Sequence, residues 1–153
     1  MPRALAKSNS ALSLRERALS LLARREHSRA ELARKLAQHG EADEVVALLD
    51  DLERRKQLSD ARYTESLRHA RSGKYGSRRL AYELREKGVG EGLIADAVAD
   101  AREGDLAAAR AAWAKKFGAL ASDANERARQ YRFLLGRGFP VEVVRRVVGG
   151  EDD

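Results

Sequence analysis

The chain has 153 residues, no cysteine, 43% hydrophobic but only 5% aromatic residues, and a formal net charge of +6. The missing thiols exclude disulfides, zinc–thiolate sites and cysteine nucleophiles, and no apolar run approaches the ~18 residues that a membrane span needs. A soluble cytoplasmic protein with a Leu, Ala and Val core is expected, its basic balance suited to a polyanionic partner.

In chain order, residues 1–13 lack periodicity and read as a flexible tail. From Leu14 the apolar spacing is helical. Leu14, Ala18, Leu21 and Leu22 mark one helix. Ser28 with Glu31 predicts a capping box opening a second helix, which carries Leu32 and Leu36 and stops at a left-handed Gly40. A third helix from near Asp43 is expected to bury Val45, Val46, Leu49 and Leu52. Asp60 is a candidate N-cap for the next helix, with Tyr63 and Leu67 on its inner face. The turn from Ser72 to Ser77 leads into Leu80, Leu84 and Gly88, then Leu93, Ile94, Ala97 and Val98. Gly104 and Asp105 open a further set: Trp113 and Phe117 on the face of Tyr63 and Leu67, a cap at Ser122-Asp123, then Gln130, Leu134, Gly138, Pro140, Val143 and Val144.

This order contains one cassette three times. Leu32, Leu36, Gly40, Val45 and Val46 recur as Leu80, Leu84, Gly88, Leu93 and Ile94, and again as Gln130, Leu134, Gly138, Val143 and Val144, with one apolar position turned polar. The glycines lie 48 and 50 residues apart, so the expected fold is all-α, three tandem three-helix repeats in an elongated, curved array. The divisions are a tail at 1–13, repeats at 14–58, 59–103 and 104–148, and an acidic tail at 149–153.

No catalytic, metal or cofactor constellation stands out. His27, His39 and His69 are scattered and read as surface or interface residues, with His39 at a helix end where a cation suits the macrodipole. Asp50-Asp51 and Glu83 with Glu86 lie on Arg-rich faces and read as solvated ion pairs. The glycines do not form a phosphate loop, and an enzyme is not indicated.

Charge is more telling. Between residues 68 and 87, seven basic residues (Arg68, Arg71, Lys74, Arg78, Arg79, Arg85, Lys87) face two acids. Between 127 and 146, six (Arg127, Arg129, Arg132, Arg137, Arg145, Arg146) face one, whereas residues 14–58 hold ten basic and nine acidic residues. Arginine outnumbers lysine 23 to 7, favouring bidentate contacts to carboxylate or phosphate. The sharpest local candidate is Lys74-Tyr75-Gly76-Ser77-Arg78-Arg79. There, N–H groups at a helix N-terminus are expected to take an anion beside two arginines. The alternative is that Tyr75 packs on its own repeat with the cations in water.

The stretch from Ser59 to Val98 resembles the central segment of RecX regulatory proteins. An Asp-opened helix with aromatic and basic residues precedes a Lys-x-Gly turn, then Arg-x-Leu-x3-Leu, Lys-Gly and an aliphatic pair. The three-unit layout extends the similarity from about Leu14 to Val148. The resemblance implies a monomeric, cofactor-free regulator of the RecA recombinase filament that lowers filament extension, ATP hydrolysis, strand exchange and co-protease activity in recombination, repair and the SOS response. The residues expected to meet RecA, DNA or both are Arg68, Arg71, Lys74, Tyr75, Arg78, Arg79, Lys87, Arg127, Arg132 and Arg137. An alternative is an autonomous DNA-binding protein, single- or double-stranded, using the basic faces of repeats two and three.

Overall fold

The structure is a computed structural model that describes residues 12–150. Most of the expected N-terminal tail, and the three acids that close the chain, lie outside the described residues. Among these there are nine helices and no strand: α1 (Leu14–Arg24), α2 (Arg29–Leu36), α3 (Ala42–Arg54), α4 (Asp60–Arg71), α5 (Ser77–Glu86), α6 (Glu91–Glu103), α7 (Asp105–Lys116), α8 (Ala124–Gly136) and α9 (Val141–Gly149). None is long and apolar enough to cross a membrane. The chain falls into two compact units. One is the described part of Met1–Tyr63 together with Lys87–Val89; the other is Thr64–Glu86 with the described part of Gly90–Asp153.

In the first unit, Ala18, Leu32, Leu36, Val45, Leu48, Leu49, Leu52 and Leu58 form the core, with Leu14, Leu21 and Leu22 of α1 packed against it. In the second, Leu80, Leu84 and Ile94 are buried. There Ala109, Leu134, Phe139, Val144, Val147 and Val148 form one cluster, with Trp113 and Phe133 at its edge. The cassette positions on the second helix of each repeat are thus core in all three copies, including the polar one. Gln130 is 1% exposed; its carbonyl accepts from Trp113 Nε1 at 2.9 Å and its amide donates to the Ala119 carbonyl at 3.0 Å. Pairing both ends makes a buried amide tolerable.

The cassette's glycine departs from expectation in its first copy. Gly88 and Gly138 are left-handed, with φ of 75° and 88°, but Gly40 is not. After Gly138 the chain closes a Schellman turn: Gly138 N–H donates to the Leu135 carbonyl at 2.9 Å and Phe139 N–H to Leu134 at 3.3 Å, which seats the Phe139 ring in the core. Val89, following Gly88, is likewise buried. After Gly40 stands Glu41, which is exposed and serves directly as the N-cap of α3, whereas α6 and α9 are capped one residue later, at Gly90 and Pro140. A one-residue shift rotates a helix by about 100°. Hence Val45 is buried and Val46 is 49% exposed, contrary to expectation, while the second of the pair, Ile94 or Val144, is buried in the later copies.

Two caps also differ from the sequence reading. Ser28 does cap α2, accepting from Glu31 N–H at 3.1 Å, but the Glu31 carboxylate turns to Arg25 instead of completing the box. Asp60 does not cap its own helix: Ser59 Oγ accepts from Arg62 N–H there. The Asp60 carboxylate accepts instead from Arg29 N–H at 2.7 Å, at the start of α2. Asp105 repeats this in the second unit, accepting from Ser77 N–H at 3.0 Å and Ser77 Oγ at 2.5 Å at the start of α5. The first carboxylate of a repeat therefore neutralises the N-terminus of the previous repeat's second helix.

Candidate partner-binding surface

The expected anion site at the α5 N-terminus is already filled. Gly76 N–H donates to the Arg137 carbonyl at 2.8 Å, Arg78 N–H to Gly138 at 3.0 Å and Arg79 N–H to Gly76 at 3.1 Å. Ser77 N–H donates to Asp105. Asp105, buried, stands where a partner's anion was expected. The approach is backbone to backbone: a Cβ on Gly76 would lie 2.4 Å from the Gly138 oxygen, and one on Gly138 2.6 Å from the Arg79 nitrogen. Glycine is required at both positions because nothing there can yield.

Around this junction the structure gathers five of the predicted residues. The Tyr75 ring, half-buried, has the guanidinium carbons of Arg79, Arg137 and Arg71 at 4.4, 5.0 and 5.9 Å from its centroid. Arg137 also donates to the Lys74 carbonyl at 3.1 Å. Glu83 binds two of these cations, Arg71 at 2.7 Å and Arg79 at 2.9 Å. Hydrogen bonds from Arg71 lead in holding the Glu83 carboxyl below the usual range, opposed by burial and helped by Arg79. Tyr75 therefore organises arginines that come from α4, α5 and the end of α8; it neither packs away from them nor leaves them all in water. The pair Glu83–Arg71 is partly buried, not the fully solvated pair expected.

The remaining predicted residues divide. Arg68 pairs with Glu65 along α4. Arg78, Arg127 and Arg132 are exposed, and their guanidinium groups have no partner among the described residues. Lys87 lies in the first unit, 3.7 Å from Glu31. Arg25 reaches the same carboxylate at 2.5 Å and Lys35 at 3.5 Å. Burial pushes the Glu31 carboxyl up, but hydrogen bonds from Arg25 and the surrounding charges overcome it and hold the group down at about 2. His27 belongs to this cluster and is 2% exposed, so of the two places expected for it, surface or interface, it is not at the surface. Lys35 Nζ donates to its Nε2 at 3.0 Å, which leaves Nδ1–H to donate to the Arg25 carbonyl at 3.1 Å and the ring neutral. Burial pushes its pKa down. His39 and His69 are exposed as expected.

Besides Leu120, two exposed apolar side chains were missed. Tyr82 is 63% exposed on α5 and Leu135 36% on α8; together with Arg78, Arg79 and Gly138 they line one shallow groove. The stripe of Leu80 and Leu84 on α5 gave Tyr82 no core role, and its position four residues after Arg78 was the available signal.

Against known proteins, three consecutive stretches match three family descriptions: "RecX, first three-helix domain" at residues 15–48, "RecX, second three-helix domain" at 59–98 and "RecX, third three-helix domain" at 103–148. A protein called regulatory protein RecX from Ralstonia nicotianae is 47% identical over 142 residues, covering 92% of this chain and 89% of the relative. The protein of that description from Chromobacterium violaceum is 48% identical over 143 residues, covering 92% and 93%. Among solved structures, RecX from Lactobacillus salivarius superposes with a TM-score of 0.70 at 19% identity, covering 90% of this chain and 93% of that one, a likeness of fold.

Proposed function

The chain belongs to the RecX family of regulatory proteins, and on that premise we propose that it binds RecA nucleoprotein filaments in the cytoplasm and restrains their extension, ATP hydrolysis, strand exchange and co-protease activity. It acts as a monomer without cofactor, and its role is regulatory instead of enzymatic. The observation that carries this reading is the succession of the three domain matches in family order, at residues 15–48, 59–98 and 103–148.

The physical chemistry supports it. Repeats at 14–58, 59–103 and 104–148, linked in one chain, would touch successive protomers of a helical polymer, each weakly. Linkage then raises the overall affinity through effective concentration. The contact is assigned to repeats two and three, where Lys74, Arg78, Arg127 and Arg132 are exposed and the Tyr75 cluster holds Arg71, Arg79 and Arg137 in one orientation. Arg68 and Lys87 are lesser contributors, since each already faces a carboxylate.

The test is RecA-dependent ATP hydrolysis on single-stranded DNA with protein added below and at equimolar amounts. Inhibition is expected, and Arg78→Glu with Arg132→Glu should weaken it about tenfold while helicity is kept. If ATP hydrolysis is untouched while the protein binds naked DNA tightly, with a log–log salt slope of about −3 to −4, the autonomous DNA-binding reading replaces this one.

A further inference from the structure

Beyond the Tyr75 cluster, the second unit carries a groove of about 470 Å³ between the turn that follows α4 and the facing sides of α7 and α8. Its floor is Ala112 and Phe133 and its rim is four cations, Lys74, Lys115, Lys116 and Arg137; no carboxylate lines it. The ammonium groups of Lys74 and Lys115 have no partner among the described residues. Lys116 and Arg137 lie over the Phe133 ring at 5.5 and 5.1 Å from its centroid, and Phe117 meets the ring edge-on at 5.5 Å. Of these side chains, the sequence singled out Lys74 and Arg137 as contact residues and Phe117 as a core aromatic, and none of the others.

The repeat supplies an internal control. One repeat earlier, the register puts Glu26 where Lys74 stands, Arg62 where Ala112 stands and Glu65 where Lys115 stands. Glu26 and Arg62 pair with each other at 2.9 Å, so those positions satisfy their own charges. In the later repeat the pair is gone, an apolar floor takes the place of the arginine, and like charges crowd the rim. Like charges brought together without counterions cost stability, which is offset when a partner supplies the opposite sign.

We propose that this groove docks an acidic peptide segment, with an apolar side chain on the Ala112–Phe133 floor and flanking carboxylates against Lys74, Lys115, Lys116 and Arg137. A nucleic-acid strand fits less well. A phosphodiester backbone has no apolar group for the floor, whereas an acidic peptide can alternate carboxylates with apolar side chains. The peptide need not come from RecA, and a binary experiment without RecA tests the groove separately from the proposed function.

That experiment is fluorescence anisotropy of a labelled peptide alternating paired aspartates with phenylalanine, beside its asparagine counterpart and a short oligothymidylate. The full chain should bind the aspartate peptide and not the asparagine one. Lys74→Glu with Lys115→Glu, which restores the charges of the earlier repeat, should lower affinity about tenfold or more at unchanged helicity. Lys56→Glu with Arg24→Glu makes the same change of net charge in the first unit and should leave binding in place. The proposal is overturned by no binding to the intact chain, by equal losses in the two charge-reversed variants, or by oligothymidylate binding that the Lys74/Lys115 reversal abolishes.

Discussion

The surroundings of Glu31 in the first unit and of Tyr75 in the second occupy corresponding places in consecutive repeats, and both gather three or more cations. Around Glu31 a single buried carboxylate is the centre, and Arg25, Lys35 and Lys87 turn inward to it. Around Tyr75 the centre is a neutral ring, with one carboxylate, Glu83, shared between two of the three arginines. A ring holds cations by its quadrupole without cancelling their charge, whereas a carboxylate cancels it. Each cluster thus sets three cations against one carboxylate, and the difference lies in what sits at the centre: a buried carboxylate on which all three cations converge in the first, a neutral ring in the second.

The comparison can be broken most forcefully at the glycines. Gly138→Ala should cost ~3 kcal/mol or more in urea denaturation, because its Cβ would meet the Arg79 backbone and its φ is left-handed. Gly40→Ala, whose Cβ meets only the ends of two flexible side chains, Leu14 at 3.0 Å and Glu44 Oε1 at 3.4 Å, should cost under ~1 kcal/mol. Equal costs would mean that the tight backbone junction does not form.

Next in size, Glu31→Gln should destabilise by ~2–3 kcal/mol by leaving three cations around a neutral amide. The Glu31 pKa is depressed from 4.5 to about 2, so its stabilisation is present above pH 4.5 and is lost as pH falls towards 2. His27 adds an earlier step. Its pKa lies below 6.5 in the folded state, so stability is complete above pH 6.5 and declines as pH falls below it, when the unfolded chain binds the proton that the folded one refuses. Hydrogen exchange on acidification should therefore show the first unit opening before the second; simultaneous opening would argue against Glu31 and His27 holding the first unit together.

Smaller still, Gln130→Leu restores the apolar cassette but leaves the Trp113 indole N–H and the Ala119 carbonyl unpaired, and should cost ~1–2 kcal/mol by thermal melting. Arg78→Ala should change stability by less than ~0.5 kcal/mol while weakening filament inhibition, which would set the surface apart from the scaffold.

Much of this was legible in the residues. The spacing of Leu32 with Leu36, Leu80 with Leu84 and Gln130 with Leu134 located the buried face of three helices, because a helical stripe is a local property. The RecX resemblance from Ser59 to Val98 located the family. What remained hidden was long-range. Ser28 and Glu31 carry a capping-box spacing, yet Glu31 prefers Arg25 and Lys87, one of which arrives more than fifty residues later. Asp60 looks like a cap for the helix it begins, and only tertiary packing turns it towards Arg29. The α5 N-terminus looked open because Asp105 lies 28 residues away in the sequence. Val46 was misplaced because the cassette assumes one loop geometry, and Glu41 after Gly40 imposes another.

The borrowed caps also bear on how the chain matures as it is made. The N-terminus of α2 stays without its carboxylate until Asp60 has been added, and that of α5 until Asp105. A nascent chain emerging from the ribosome therefore cannot finish one repeat before the opening residue of the next has appeared. The first two repeats are each sealed by their successor, so their consolidation runs from the N-terminus forward and lags synthesis by the start of one more helix.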